Sequence, residues 1–162
     1  MFKNLRQALL SLFCAACFAP GASIAHDYSY QKLEIDHPYA VIDAKDSKVV
    51  NVYFRKFNNL SEESYRLLGA QTKVASKVEL QAEVHNADHV ASWVTIQSID
   101  IKPNAKLLFR HDNEQGFQIK LTDLTQAIQT GDRFTLDLLM DGGSVPVNVW
   151  VQQPRELKKH NH

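Results

Sequence analysis

The chain has 162 residues, of which 44% are hydrophobic, 22% charged and 9% aromatic, with 18 basic residues against 18 acidic ones. That length suits one ordinary domain with a real core. The balanced charge excludes a broad nucleic-acid-binding or polybasic membrane surface, and the apolar content excludes global disorder.

The first element in chain order is a secretory signal peptide. Lys3 and Arg6 precede an apolar run from Ala8 to Ala19 that is short for a bilayer span, and Ser23-Ile24-Ala25 has small residues at signal-peptidase spacing. Cleavage after Ala25 is expected to leave His26 as the new N-terminus, with no stable membrane insertion afterwards. Cys14 and Cys17 leave with residues 1–25, and neither follows a Leu-x-x-Cys lipobox. The remaining 137 residues carry 16 basic and 18 acidic side chains, all seven histidines and one methionine, Met140. Without cysteine there is no disulfide framework, thiolate metal site or thiol nucleophile.

Short segments rich in β-branched and aromatic residues follow at spacings of roughly eight to twelve positions, the pattern of an all-β domain. The expected strands are Lys32–Ile35, Val49–Lys56, Tyr65–Gln71, Lys77–Val84, Val90–Ile96, Ile99–Ile101, Lys106–Arg110, Gly116–Leu121, Arg133–Leu139 and Val145–Gln152. Thr122–Gln129 lacks alternation and is expected as a helical turn or an ordered loop. Asp141-Gly142-Gly143-Ser144 reads as a hairpin turn whose glycines supply positive φ, and Pro146 places its strand at an edge there. The expected architecture is a single antiparallel β-sandwich domain of Greek-key type over residues 26–154. His26–Gln31 and the tail at 155–162 are expected to be polar, uncompacted ends.

Six segments stand in order along the chain: Ile35-Asp36-His37-Pro38-Tyr39-Ala40, Asn51-Val52-Tyr53-Phe54, Tyr65-Arg66-Leu67-Leu68-Gly69-Ala70, Lys77-Val78-Glu79-Leu80, Ser98-Ile99-Asp100-Ile101 and Thr130-Gly131-Asp132-Arg133-Phe134-Thr135-Leu136. Together they resemble the periplasmic copper chaperone family PCuAC. The resemblance implies a cupredoxin-like β-sandwich, periplasmic location, copper as cargo and an acceptor protein as partner. It also implies Cu(I) ligands: a His after Val-Glu-Leu, a Met on the next strand, and a His-x-Met pair after a Gly-rich turn. This chain departs at each place, with Gln81, Trp93, Gln118 and Lys120. Amides are poor Cu(I) donors and an ammonium repels the ion, so the usual site is expected to be absent.

The histidines offer a replacement. With Gln81 facing Trp93 across a hairpin, equal steps pair Glu83 with Ala91 and His85 with His89, leaving Asn86-Ala87-Asp88 as the loop. Directly opposed imidazoles are close enough to share an ion. His111, in the loop leading to Gln118, would add a third nitrogen, with a carboxylate from Glu83, Asp88 or Asp112. Such a set suits Cu(II) or Zn(II) better than Cu(I). Solvated loop histidines are the competing reading. A free His26 offers amine and imidazole to one ion, and His160-Asn161-His162 is a short His-x-His tail. Trp93, Tyr53 and Phe117 read as core or sheet-face packing, and His37 as structural. No Gly-x-Ser-x-Gly, His-Glu-x-x-His, phosphate loop or dinucleotide fingerprint occurs. The sequence thus points to a non-enzymatic, exported copper-handling protein, Cu(I) or Cu(II), that binds the ion or delivers it to a partner. The alternative is a metal-free periplasmic interaction module on the same scaffold.

Overall fold

The computed structural model describes residues 28–30, 32–110 and 116–153. The expected signal segment, His26, His111 and the tail lie outside the described residues. Among the described residues eleven strands form and no helix occurs. They are β1 (Tyr28–Tyr30), β2 (Leu33–Ile42), β3 (Val50–Asn59), β4 (Tyr65–Thr72), β5 (Ala75–His85) and β6 (Ala91–Ile96). β7 (Ile99–Ile101), β8 (Lys106–Leu107), β9 (Phe117–Leu124), β10 (Arg133–Met140) and β11 (Gly143–Gln152) complete the set.

The strands pair in the order β6-β5-β9-β3-β2-β11-β10-β4-β7, with β1 added to β2 and β8 to β3. All pairs are antiparallel except β11 with β2, which run parallel through Trp150↔Tyr39 to Gln152↔Val41. That parallel seam departs from the purely antiparallel expectation. It joins two halves of the sheet path, and inward-facing residues of both halves form one core. Val50, Val52, Phe54 and Phe57 from β3, Ile119 and Leu121 from β9, Leu136 and Leu138 from β10, and Val147, Val149 and Val151 from β11 are all buried in it. The period-two alternation that places these residues inside places Asn51, Tyr53, Gln118 and Lys120 on the opposite face.

Local chemistry explains the deviations from the expected elements. β1 is a strand where an uncompacted end was expected, paired antiparallel with the start of β2 through a turn in which Lys32 takes φ 72°. β2 continues well past Ile35 because His37 takes a positive φ of 45° before Pro38, and the ladder resumes with Pro38 opposite Phe54. Pairing after Lys106 stops at Leu107, since Phe109 turns inward against Phe54, Phe57 and Phe117 with ring centroids 4.9–5.7 Å apart. Thr122 and Leu124 extend β9 opposite Lys77 and Ala75. An ordered loop follows, in which the Gln129 amide donates to Asp132 Oδ2 at 2.8 Å. Pro146 faces Asp137 of β10 on one side only, because the parallel pairing with β2 begins at Trp150.

Asn59-Leu60-Ser61 matches a glycosylation acceptor sequence, yet Asn59 is wholly buried. Its Nδ2 donates to the carbonyls of Glu63 at 2.7 Å and Lys102 at 3.0 Å, and its Oδ1 accepts from Ser61 N and Oγ. The side chain ties the loop after β3 to the loop after β7.

Candidate functional site

The outer face of β3, β9, β5 and β6 gathers the polar residues that alternation sends away from the core. Cross-strand register sets Asn51 against Lys120, Gln81 against Gln118, and Glu83 against Trp93. Together with Val41, Ile42, Asp43 and Val49, most of these residues line one open cavity of about 410 Å³. The structure therefore brings Gln81, Trp93, Gln118 and Lys120 around a single space.

Two amides and a phenol form a directed chain at the floor. Tyr53 Oη donates to Gln118 Oε1 at 2.7 Å, and Gln118 Nε2 donates to Gln81 Oε1 at 2.8 Å. Gln81 is 6% exposed and Gln118 and Tyr53 are 4% exposed, so these bonds satisfy groups that would otherwise be costly to bury. Burial pushes the Tyr53 hydroxyl well above the ordinary tyrosine range, and neighbouring Tyr39, Asp43 and Glu83 add to the effect. The phenol thus stays a donor at neutral pH.

Three oxygens of this face lack such satisfaction. Asn51 Oδ1, Glu83 Oε2 and Thr122 Oγ1 are buried with no hydrogen-bond partner among the described residues. The Glu83 amide donates to Gly116 O at 2.9 Å, so this end of β5 lies against the start of β9. A side chain at Gly116 would put its Cβ 2.2 Å from the Arg110 carbonyl oxygen and 3.4 Å from Glu83 Oε2, so only glycine fits there.

The β5–β6 hairpin corrects the expected histidine pairing. His85 lies opposite Ala91, Glu83 opposite Trp93, and Gln81 opposite Thr95, a register two residues away from the expected one. The cause is Asn86, whose Oδ1 accepts from the amides of Asp88 at 3.0 Å and Val90 at 2.9 Å. Asn86 therefore stands before the turn, and Ala87-Asp88-His89 forms it. The left-handed residue is His89 with φ 59°, where Asn or Asp was expected. His85 and His89 are not directly opposed; both are exposed. The two-residue slip preserves the face, so His85, Glu83 and Gln81 still share the outer side of β5.

No group of three or more His, Cys, Asp or Glu side chains able to hold a metal occurs among the described residues. Met140, the only methionine beyond Met1, is 4% exposed in the core. The cavity itself supplies amides, an indole, a phenol, an ammonium and the Asp43 carboxylate, and the amide oxygens of Gln81 and Gln118 are already paired. That donor set does not fit Cu(I), which needs thiolate, thioether or imidazole. His37 sits apart on β2, with Nδ1 against Asp36 Oδ1. Sequence reasoning missed Asn51 and the Tyr53 hydrogen bond. Alternation on β3 was the available signal, since a Tyr and an Asn sit at alternate positions between core residues.

The sequence profile of the LpqE-like family, described as "Putative lipoprotein LpqE-like", matches residues 33–151. No sequence among the curated proteins matches the chain. Among solved structures, the apo PCuAC domain from PmoF1 aligns with TM-score 0.62 at 16% identity, covering 80% of this chain and all of that one. The copper-bound PCuAC domain from PmoF2 aligns with TM-score 0.59 at 19% identity, covering 80% and 99%. A Cu(I)-bound solution structure from Deinococcus radiodurans aligns with TM-score 0.53 at 19% identity, covering 82% and 87%. At these identities the likeness establishes the fold.

Proposed function

Because the chain belongs to the LpqE-like family and folds as a PCuAC-type domain, we propose that it is an exported, periplasmic copper-handling protein. It binds the ion and passes it to an acceptor protein by ligand exchange, with no bond-making chemistry on a substrate. Two solved proteins of the same fold are copper-bound, which supports copper as the cargo.

The ion is taken by nitrogen and oxygen donors at the β5–β6 end. The observation that carries this reading is Glu83 Oε2, buried without a partner on the face it shares with His85. Leaving such an oxygen unpaired costs about 1–3 kcal/mol, which a bound cation offsets. His111 follows Arg110, whose carbonyl packs beside Gly116 near that oxygen, and is the second imidazole of the proposal. His89 in the turn, His26 with its amine, and the tail pair His160 and His162 are further capture points. This donor set favours Cu(II) or Zn(II) over Cu(I).

Competition titrations of Cu(II), Zn(II) and Cu(I) test the reading. Glu83→Gln and His85→Ala/His111→Ala variants are expected to lose about tenfold or more in Cu(II) affinity. A Gln81→Ala variant is expected to bind as the wild type does. The reading fails when the His85→Ala/His89→Ala/His111→Ala variant binds both copper ions as the wild type does. The second reading, a metal-free interaction module, is favoured by the Tyr53–Gln118–Gln81 chain that fills the floor where the family resemblance implies copper. It predicts no specific ion binding at all.

A further inference from the structure

We propose that the cavity bounded by Trp93, Gln81 and Asn51 is a binding site for a small, neutral, hydroxyl-rich ligand of mono- or disaccharide size. Its volume of about 410 Å³ lies within the range of small-molecule sites. The polarity of its wall narrows the class further. The Tyr53–Gln118–Gln81 chain runs in one direction, so its open end is Gln81 Nε2, a donor that bonds to no described residue. Asn51 Oδ1, on β3 with β9 between it and β5, is a buried acceptor with no hydrogen-bond partner among the described residues.

A ligand that satisfies both must accept at one end and donate at the other, across β9. Hydroxyl groups do this; a carboxylate only accepts, and a metal ion meets neither need at Gln81. Charge points the same way. The lining carries one cation, Lys120, and one anion, Asp43. Lys120 makes no ion pair among the described residues, and one oxygen of Asp43 is occupied by the amides of Lys45 and Asp46. The wall therefore has no net charge to select an ion. Trp93 adds an aromatic ring, and Val41, Ile42 and Val49 add apolar wall, suited to the C–H face of a pyranose. The site is distinct from the donors proposed for copper, so either can fail without the other.

Trp93 supplies the readout. A Trp150→Phe background leaves Trp93 as the single tryptophan of the chain. Titration with glucose, galactose, N-acetylglucosamine, maltose and trehalose is expected to give a saturable fluorescence change with at least one sugar. Asn51→Ala and Gln81→Leu are each expected to weaken that binding by about tenfold or more. Asn51 is only half-buried, so its variant stays folded if Gln81→Leu does not. Calorimetry on Trp93→Phe, in the chain that keeps Trp150, is expected to show the same loss. The proposal is overturned when no sugar of the set gives a saturable change. Binding that Asn51→Ala leaves untouched overturns it as well.

Discussion

Replacing Tyr53 by Phe isolates the bond that anchors the amide floor. The hydroxyl lies 2.7 Å from Gln118 Oε1, and both residues are 4% exposed. The ring stays, so no cavity forms and the transfer term of a truncation does not arise. What remains is the lost hydrogen bond plus a buried amide oxygen left without that donor, together about 1–3 kcal/mol. For a domain of this size each kcal/mol lowers the melting temperature by about 2–4 °C, so a fall of about 2–12 °C is expected. Urea denaturation is the assay, with an unchanged dependence on denaturant showing that the fold is retained. A Gln118→Leu background adds a control: there Tyr53→Phe is expected to cost less than half as much, because its partner has gone. A cost below about 0.3 kcal/mol in the wild-type background would refute the reasoning.

Further consequences follow from the same contacts. Burial keeps Tyr53 protonated after the unfolded chain begins to ionise near pH 10, so the native state holds more protons there and stability falls as pH rises further. Tyr53→Phe removes up to about 1.4 kcal/mol per pH unit of that alkaline slope, measurable as melting temperature against pH from 8 to about 11. Asn59→Leu breaks the bonds that hold two loops together and is expected to destabilise by about 2–4 kcal/mol in the same urea assay. Gly116→Ala forces backbone away from the Arg110 carbonyl at a cost of about 1–3 kcal/mol, and amide exchange at Glu83 is expected to quicken. His89→Gly relieves the left-handed strain and is expected to stabilise by about 0.5–1 kcal/mol; a loss instead would mean the imidazole makes a contact that holds the turn.

The fold was legible because its strands obey simple alternation. Val145, Val147, Val149 and Val151 all reached the core, and Phe134, Leu136 and Leu138 faced them as the pattern requires. Where a side chain overrides that pattern, the sequence misleads. Asn86 bonds two amides of its own turn and so moves the hairpin loop by one residue, which separates His85 from His89 in the ladder. The parallel seam of β11 and β2 leaves no local signature, because it joins segments far apart in the chain. Gln81 and Gln118 stood out only through a family resemblance, and their mutual bond needed the register of β5 and β9. Asn51 carries no motif, and Glu83 was legible only as one of three carboxylates near the histidines. The unsatisfied oxygen of each appears only once the neighbouring strands are in place.

The most direct measurement restores to this scaffold the soft donors that the family resemblance assigns to it. Gln81→His, Trp93→Met, Gln118→His and Lys120→Met are combined in one chain, and Cu(I) affinity is compared with the wild type by competition against a chromogenic chelator. If the framework is kept while its grip at that pole has been exchanged for amides, the fourfold variant gains at least about a hundredfold in Cu(I) affinity, about 2.7 kcal/mol. A wild-type chain that already holds Cu(I) as tightly as the variant would contradict that account.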